Sequence, residues 1–192
     1  MIEGSEGTTQ PVRHRLDVDA YYKMAETGIL RYGQRVELID GDIIDMNPIG
    51  SAHAAITNHL VQLFYEVIGK ETALISVQNP LRLDDFNEPQ PDVMLLQPRA
   101  DNYRKNHPGA ADVLLLAEIS DSSLSYDRGA KLGLYARFGV PEVWIIDIAS
   151  ATIEIYRHPA NGVYTSRDLC TSGSLSPALI PGIAIDVASL LT

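Results

Sequence analysis

The sequence is short of cysteine, of long apolar runs and of positive charge. Its single cysteine, Cys170, excludes an internal disulfide and a cysteine-rich zinc cluster, which is typical of a protein of a reducing compartment. No apolar run approaches the roughly 18 residues that a membrane-spanning helix needs, and the polar start of the chain lacks the apolar region of a signal peptide. We therefore expect a cytoplasmic protein without a membrane span.

Basic residues are outnumbered, since 15 lysines and arginines face 25 aspartates and glutamates, for a formal net charge of -10. Affinity for nucleic acid that is independent of base sequence comes mainly from basic side chains that release counterions, so this balance counts against a nucleic-acid ligand. However, a carboxylate cluster for a divalent cation would also raise the acidic count, and the cation would reverse the local field. Charge alone leaves the question open.

Periodic patterns predict one domain that mixes helices and strands. Residues 1–15 lack apolar periodicity and are expected to form a flexible segment, and 16–192 are expected to form the domain. The order of hairpins with one strand-helix-strand unit predicts a mixed β-sheet flanked by helices, in an α/β or α+β fold. Helices are predicted from Val18 and over 51–68 and 127–138, and strands over 35–39, 42–46, 74–77, 81–83, 93–96, 113–119, 142–148, 152–157 and 163–169.

Local signals mark several boundaries of these elements. Asp40-Gly41 favours a two-residue hairpin turn, Asp17 and Asp127 are predicted helix N-caps, and Gly139 is a predicted stop. The polar segment 97–112 is long enough for a functional flap. Its cations Arg99, Arg104 and Lys105 could hold phosphates, with solvated loop charge as the equal alternative.

Three carboxylates stand where a strand should be apolar or should begin. Glu37 lies between Val36 and Leu38, Asp92 opens a predicted strand after Pro91, and Glu118 interrupts an apolar run. A buried carboxylate must be protonated, be paired with a cation or bind a metal, because an isolated buried ion is costly. Each alone could be a strand-end charge that reaches solvent, but together they indicate a site.

Lys131 supports this interpretation through helix geometry. On a 3.6-residue repeat it shares a face with Leu134, Tyr135 and Phe138, so its stem points into the core and its ammonium needs an acceptor. The alternatives are a lysine that extends to the helix edge or a structural ion pair with a carboxylate. His53 and His59, on the second predicted helix, are interpreted as core or interface histidines.

The order of these motifs resembles the Uma-two family of predicted restriction endonucleases. The resemblance rests on Glu37-Leu38-Ile39-Asp40-Gly41, Pro91-Asp92-Val93, Glu118-Ile119-Ser120, Tyr126-Asp127-Arg128-Gly129-Ala130-Lys131-Leu132 and the segment 135–144, and it spans about 16–191. It implies a PD-(D/E)XK nuclease core in which Asp92 and Glu118 are the two acids. The lysine that usually follows two residues after the second acid is replaced by Ser120, and the resemblance implies that Lys131 takes its place.

This resemblance implies a Mg²⁺-dependent DNA endonuclease, with Mn²⁺ as a substitute. Because Mg²⁺ prefers oxygen ligands and keeps several waters, Asp92, Glu118 and the carbonyl of Ile119 are the expected ligands. Glu37 would bind directly or through water, Lys131 would orient the attacking water or stabilise charge, and Ser120 could contact the substrate.

Two alternatives remain: a catalytically inactive binding or regulatory module that keeps the nuclease fold and its metal cluster, and an unrelated protein whose carboxylates only pair with Lys131 and with arginines. Because cutting both strands of a duplex commonly uses two active sites, we also expect a symmetric homodimer.

Overall fold

The computed structural model describes residues 12–191 of the chain. Helix α1 (Val18–Glu26) begins at Asp17, whose carboxylate accepts a hydrogen bond from the amide of Ala20, as predicted. Residues 1–11 of the predicted flexible segment lie outside the described residues. Arg15, which belongs to the same predicted segment, packs over the ring of Phe86 at 4.3 Å.

The predicted hairpin forms strands β1 (Val36–Ile39) and β2 (Asp42–Asp45), which pair antiparallel. Its two turn residues, Asp40 and Gly41, have φ angles of 50° and 79°. Such positive angles favour glycine and are tolerated by aspartate, which explains the Asp-Gly signal. Helix α2 (Ser51–Val67) follows and turns Leu60 and Phe64 into the core.

A six-stranded mixed sheet forms the centre of the domain, which confirms the predicted fold class. Its strands lie side by side in chain order, and β5 and β6 are parallel whereas the other neighbours are antiparallel. The parallel pair requires a crossover connection, which the next helical segment provides. The strands are β3 (Leu74–Val77), β4 (Val93–Leu96), β5 (Val113–Ser120), β6 (Glu142–Asp147), β7 (Thr152–Ala160) and β8 (Val163–Cys170).

The crossover between β5 and β6 is one helical segment with a π-helical turn inside it. It comprises α3 (Leu124–Tyr126), the π turn Asp127–Lys131 and α4 (Leu132–Arg137). The prediction that Asp127 is the N-cap is therefore wrong, because the helix begins three residues earlier. A π turn within an α-helix is rare and often marks a functional site. Gly139 ends the segment with a φ of 76°, as predicted.

Apolar residues fill both faces of the sheet. On one face, α2 packs with strands β9 (Ser174–Leu175) and β10 (Ile185–Asp186) and helix α5 (Val187–Leu191) over a cluster that includes Trp144. On the other face, Tyr135 of α4 packs on Leu116 and Ile145. Strand β5 is consequently covered on both sides, which accounts for its almost unbroken apolar sequence.

The structure has no strand at 81–83 and has a loop at 97–112. The predicted strand 81–83 is wrong: Leu81 is buried in the core, but its amide donates to the carbonyl of Pro89 in an irregular loop. Segment 97–112 is a loop that ends in the 3₁₀ turn Ala110–Asp112.

Among residues 12–191, no helix is both long and apolar enough to cross a membrane.

Candidate active site

Asp92 and Glu118 lie at facing positions of neighbouring strands. Val93 of β4 pairs with Ala117 of β5, so Asp92, one residue before, lies opposite Glu118, one residue after. Both carboxylates are buried and line a single cavity of about 260 Å³. Asp92 is held in place by the amide of Ile119, which donates to its Oδ2 at 2.9 Å. The antiparallel register thus places the two acids in one cavity.

Glu118 accepts two hydrogen bonds from the helical crossover. The ammonium of Lys131 donates to its Oε1 at 3.1 Å, and the hydroxyl of Tyr135 donates to the same oxygen at 2.5 Å. All three side chains are buried. Lys131 and Tyr135 are four residues apart and reach Glu118 from one helix face, which matches the inward face deduced from the sequence.

Lys131 also pairs with Glu37 of β1, since Nζ lies 3.3 Å from its Oε2. The same Oε2 accepts a hydrogen bond from the amide of Gln90 at 3.1 Å, and Oε1 accepts one from the hydroxyl of Tyr126 at 3.1 Å. Protein donors therefore contact both oxygens of Glu37. The ammonium bridges two glutamates that come from the hairpin and from the central sheet.

Burial and charge shift the protonation of these groups in different directions. Burial raises the pKa of Glu118 to about 8, with Asp127 and Asp92 adding to the shift and Lys131 opposing it. Burial would also raise the pKa of Asp92, but the hydrogen bond and charge of His53, together with the Ile119 amide, lower it overall. Burial would lower the pKa of Lys131, but the carboxylates of Glu118 and Glu37 raise it overall. Asp92 is consequently ionised and Lys131 charged at neutral pH.

Asp127 is a further carboxylate of the cavity that the sequence did not reveal. Its Oδ2 accepts hydrogen bonds from the hydroxyls of Ser120 at 2.7 Å and Ser123 at 2.6 Å. Burial raises its pKa. Ser120, proposed above as a substrate contact, is fully buried and its hydroxyl is directed at Asp127. Position 120 therefore holds Asp127 in place.

His53 lies in the first turn of α2 and lines the same cavity. Its Nε2 is 3.0 Å from Oδ2 of Asp92. This contact differs from the predicted core or interface role, and no local pattern could indicate it because the two residues are 39 positions apart. His59, six residues further along α2, lies near Ser189 instead, with Nε2 3.4 Å from the hydroxyl oxygen.

The lining of the cavity combines charged and apolar residues. Its acidic lining residues outnumber its arginine and lysine residues six to two. Four apolar residues of the lining, called the apolar side below, come from β2 and the loop between β2 and α2, and they are Ile44, Met46, Pro48 and Ile49. The lining described for this cavity does not include Arg99, Arg104 or Lys105. Arg99 instead forms a two-pronged ion pair with Asp101, at 2.6 and 2.8 Å.

Within residues 12–191, no group of three or more histidine, cysteine, aspartate or glutamate side chains is arranged to hold a metal ion. The geometry of the site gives a reason. The ammonium of Lys131 bridges Glu37 and Glu118 and thereby keeps these carboxylates around itself. Beside this bridge, Asp92 and Glu118 form a pair of facing carboxylates, one directly before β4 and the other on β5.

An arginine adjacent to Asp127 fixes the π turn to the sheet. Arg128 forms an ion pair with the buried Glu154 of β7, and Nε lies 3.1 Å from Oε1. Arg167 donates to the same oxygen at 3.0 Å. Burial would raise the pKa of Glu154, but these arginines and Tyr156 lower it overall. The turn that carries Asp127 and Lys131 is therefore held by charge as well as by packing.

We predict that Glu154→Gln lowers the free energy of unfolding by about 2 kcal/mol at pH 7, the usual scale for hydrogen bonds to charged groups. A folded-state pKa below the ordinary value of 4.5 means that the ionised form stabilises the fold above that value. This stabilisation disappears as the pH falls through the lowered pKa. Urea denaturation between pH 7 and pH 3 should show that the free energy of unfolding falls less with decreasing pH for the variant than for the parent. The exposed Asp168→Asn is the control, and equal curves for variant and parent would refute the prediction.

Comparisons with known proteins identify a family and a solved structure that are similar to this chain. The family described as "Uma2: Putative restriction endonuclease" matches residues 18–188. The crystal structure of "a putative nuclease belonging to DUF820" from Anabaena variabilis superposes with a TM-score of 0.70 at 17% identity. That alignment covers 92% of this chain and 97% of the other. No curated protein shows significant sequence similarity to the chain.

The chain belongs to the Uma2 family, because the match covers nearly all of it. This confirms the family inferred from the order of the motifs. At 17% identity the solved structure shows the shared fold alone.

Proposed function

We propose that the protein is a metal-dependent endonuclease of the cytoplasm that hydrolyses phosphodiester bonds of DNA. The observation that carries the proposal is the buried ammonium of Lys131 on Glu118, beside the facing carboxylate of Asp92 in one cavity. A buried cation beside two carboxylates supplies both parts that phosphoryl chemistry needs, which are oxygen ligands for a cation and a positive group for developing negative charge. Family membership agrees with this class of reaction.

The donor set fits a hard divalent cation. Mg²⁺ is usually held by one or two carboxylates, together with waters and substrate phosphates, so a preformed cage of three side chains is not required. We assign Asp92, Glu118 and the carbonyl of Ile119 as ligands, with Mn²⁺ as a substitute. Both oxygens of Glu37 already accept protein hydrogen bonds or pair with Lys131. We therefore assign to Glu37 the orientation of Lys131 and a contact to the cation through water.

When bound, the cation would polarise the scissile phosphate and lower the pKa of a water molecule. In the hydrolysis, a water oxygen would form a bond to phosphorus as the bond to one ester oxygen breaks. A proton of the water ends on the departing oxygen as an alcohol, and the hydroxyl stays on the phosphate monoester. Lys131 stabilises the charge that develops on the phosphoryl oxygens, and Tyr135 holds Glu118 in place.

Helix α2 offers a further contact for a phosphate group. Its N-cap is Gly50, which makes no side-chain cap, and both Gly50 and His53 of the first turn line the cavity. Free amides at the N-terminus of a helix favour anions because they carry the positive end of the helix dipole. A phosphate in the cavity would therefore meet Lys131 and the start of α2.

A catalytically inactive binding or regulatory module that keeps the nuclease fold is the second candidate. The net charge of -10 and the serine at position 120 favour it. Purified protein should be incubated with supercoiled plasmid in Mg²⁺, in Mn²⁺ and in excess chelator. The proposal expects nicked and linear products with either metal and none with chelator. Calorimetric Mn²⁺ binding without any product would support the second candidate instead.

We also predict a symmetric homodimer, because two active sites allow one assembly to cut both strands of a duplex. Light scattering at micromolar concentration, coupled to size exclusion, should give twice the chain mass of 21.0 kDa. A mass equal to one chain would contradict this prediction without affecting the proposed chemistry.

A further inference from the structure

We propose that the substrate of this site is DNA with an unpaired stretch, and that one nucleotide enters the cavity away from any base pair. This inference rests on the proposed nuclease function and names the form of its substrate. Three features carry it: the depth of the reacting groups, the size of the cavity and the chemistry of its walls.

The reacting groups lie at the bottom of the cavity. The side chains of Lys131, Glu118 and Asp92 are exposed by 5%, 4% and 11%. A phosphate must leave the surface and enter the cavity to reach them. In an intact duplex each phosphate is fixed between its neighbours on a stiff helix, whereas a single strand can turn one phosphate and its nucleoside inward.

The volume of the cavity suits one nucleotide. At about 260 Å³ it is slightly smaller than the range of roughly 300–1,000 Å³ that is typical of pockets for small molecules. A double helix, whose major groove alone is about 12 Å wide, requires an open cleft of a different scale. One nucleoside with its phosphate is a group of the right size.

The walls also favour a nucleotide with a free base. The apolar side (Ile44, Met46, Pro48, Ile49) and the ring of Tyr126 line the same cavity as the carboxylates. Apolar and aromatic surfaces bind unpaired bases, whose faces are exposed only outside the stack. An intact duplex would bring no base face to these residues.

The charge of the lining limits how many phosphates the cavity can hold. The two arginine and lysine residues of the lining are Arg35 and Lys131, and Lys131 is already paired with two glutamates. Each phosphate that is neutralised, in a duplex or in a single strand, requires a basic side chain, so the lining suits one inserted phosphate and not a row of them. The six acidic residues of the lining are Glu37, Asp45, Asp92, Glu118, Asp121 and Asp127.

The test separates binding from cleavage. Labelled DNA of one sequence is prepared as a single strand, as a duplex and as a duplex with a central unpaired bubble, and fluorescence anisotropy with Ca²⁺ gives each Kd. We expect the single strand and the bubble to bind at least about tenfold more tightly than the duplex. Equal or tighter binding of the duplex, or no binding of the single strand, overturns the inference whatever the cleavage assay shows.

A variant of the apolar side gives a second test of the inference. Ile49→Ser should weaken single-strand binding roughly five- to tenfold. Leu169→Ser, which changes a more exposed apolar residue on β8, outside the lining described for the cavity, should not change it. With Mg²⁺ in place of Ca²⁺, cuts in the bubble substrate should fall within its unpaired segment. Cuts confined to paired segments also overturn the inference. Failure of all three DNAs to be cut, with the single-strand preference retained in binding, would overturn the nuclease function and support the substrate form.

Discussion

Replacing Lys131 by methionine is expected to lower phosphodiester cleavage by about 10²-fold or more, the usual scale for losing a positioned charge-stabilising group. The ammonium contacts Glu118 at 3.1 Å and Glu37 at 3.3 Å inside the cavity, and methionine keeps the apolar stem without the charge. Initial rates on labelled DNA should be compared at matched Mn²⁺ occupancy. The exposed Lys23→Met, which removes only the surface pair with Glu26, is the control.

A purely structural ion pair would give a different pattern for the same variant. Removing one partner of a buried pair costs as much as about 3–5 kcal/mol in the free energy of unfolding, because charged groups are left without a partner. Urea denaturation of Lys131→Met measures this cost directly. If cleavage per folded, metal-loaded molecule equals that of the parent, Lys131 has no part in the reaction.

Replacing Asp92 by asparagine is expected to abolish tight binding of Mn²⁺ and to lower cleavage by about 10²-fold or more, since a bound cation supplies several kcal/mol of charge stabilisation. Asparagine has nearly the size of aspartate and can still accept the hydrogen bond from the amide of Ile119. The fold should therefore persist. The neutral amide has lost the charge that binds a divalent cation.

Calorimetric titration with Mn²⁺ and a plasmid assay should be run on Asp92→Asn, on Glu118→Gln and on the surface control Asp19→Asn. Glu118→Gln should behave like Asp92→Asn, because these two carboxylates face each other across β4 and β5. If Asp92→Asn binds Mn²⁺ as the parent does, then the cation binds elsewhere and the assignment of Asp92 fails.

Patterns that depend on nearby residues predicted much of the fold. The Asp40-Gly41 turn, the apolar period of α2 and the stop at Gly139 are local signals, and the structure has each of them. The strand predicted at Leu81 is absent because an apolar residue indicates burial and not necessarily a strand. The amide of Leu81 donates a hydrogen bond to the carbonyl of Pro89 within a loop, where prolines lack the amide hydrogen that strand pairing needs. The N-cap predicted at Asp127 is wrong because aspartate, a good N-cap residue, can equally be a buried hydrogen-bond acceptor. Here it accepts from the hydroxyls of Ser120 and Ser123.

Within the site, the sequence indicated the charged residues better than their partners. The inward face of the crossover helix predicted the contact of Lys131 with a carboxylate. The same reasoning would have found Tyr135, whose hydroxyl needs an acceptor once its ring is buried. The contacts of His53 with Asp92 and of Tyr126 with Glu37 join residues 39 and 89 positions apart. Only the assembled fold brings such pairs together.

The buried serine at position 120 restricts how this site could have changed in evolution. A lysine there would need the space and the acceptor that Ser120 and Asp127 now share, since the serine is fully buried and bonded to that carboxylate. Placing the cation on β5 instead of the crossover helix would thus require coordinated substitutions at positions 120, 127 and 131. Loss of Lys131 as the first step would leave Glu37 and Glu118 buried without their cation, which is a costly intermediate. A lysine at position 131 should accordingly occur together with a small residue at position 120.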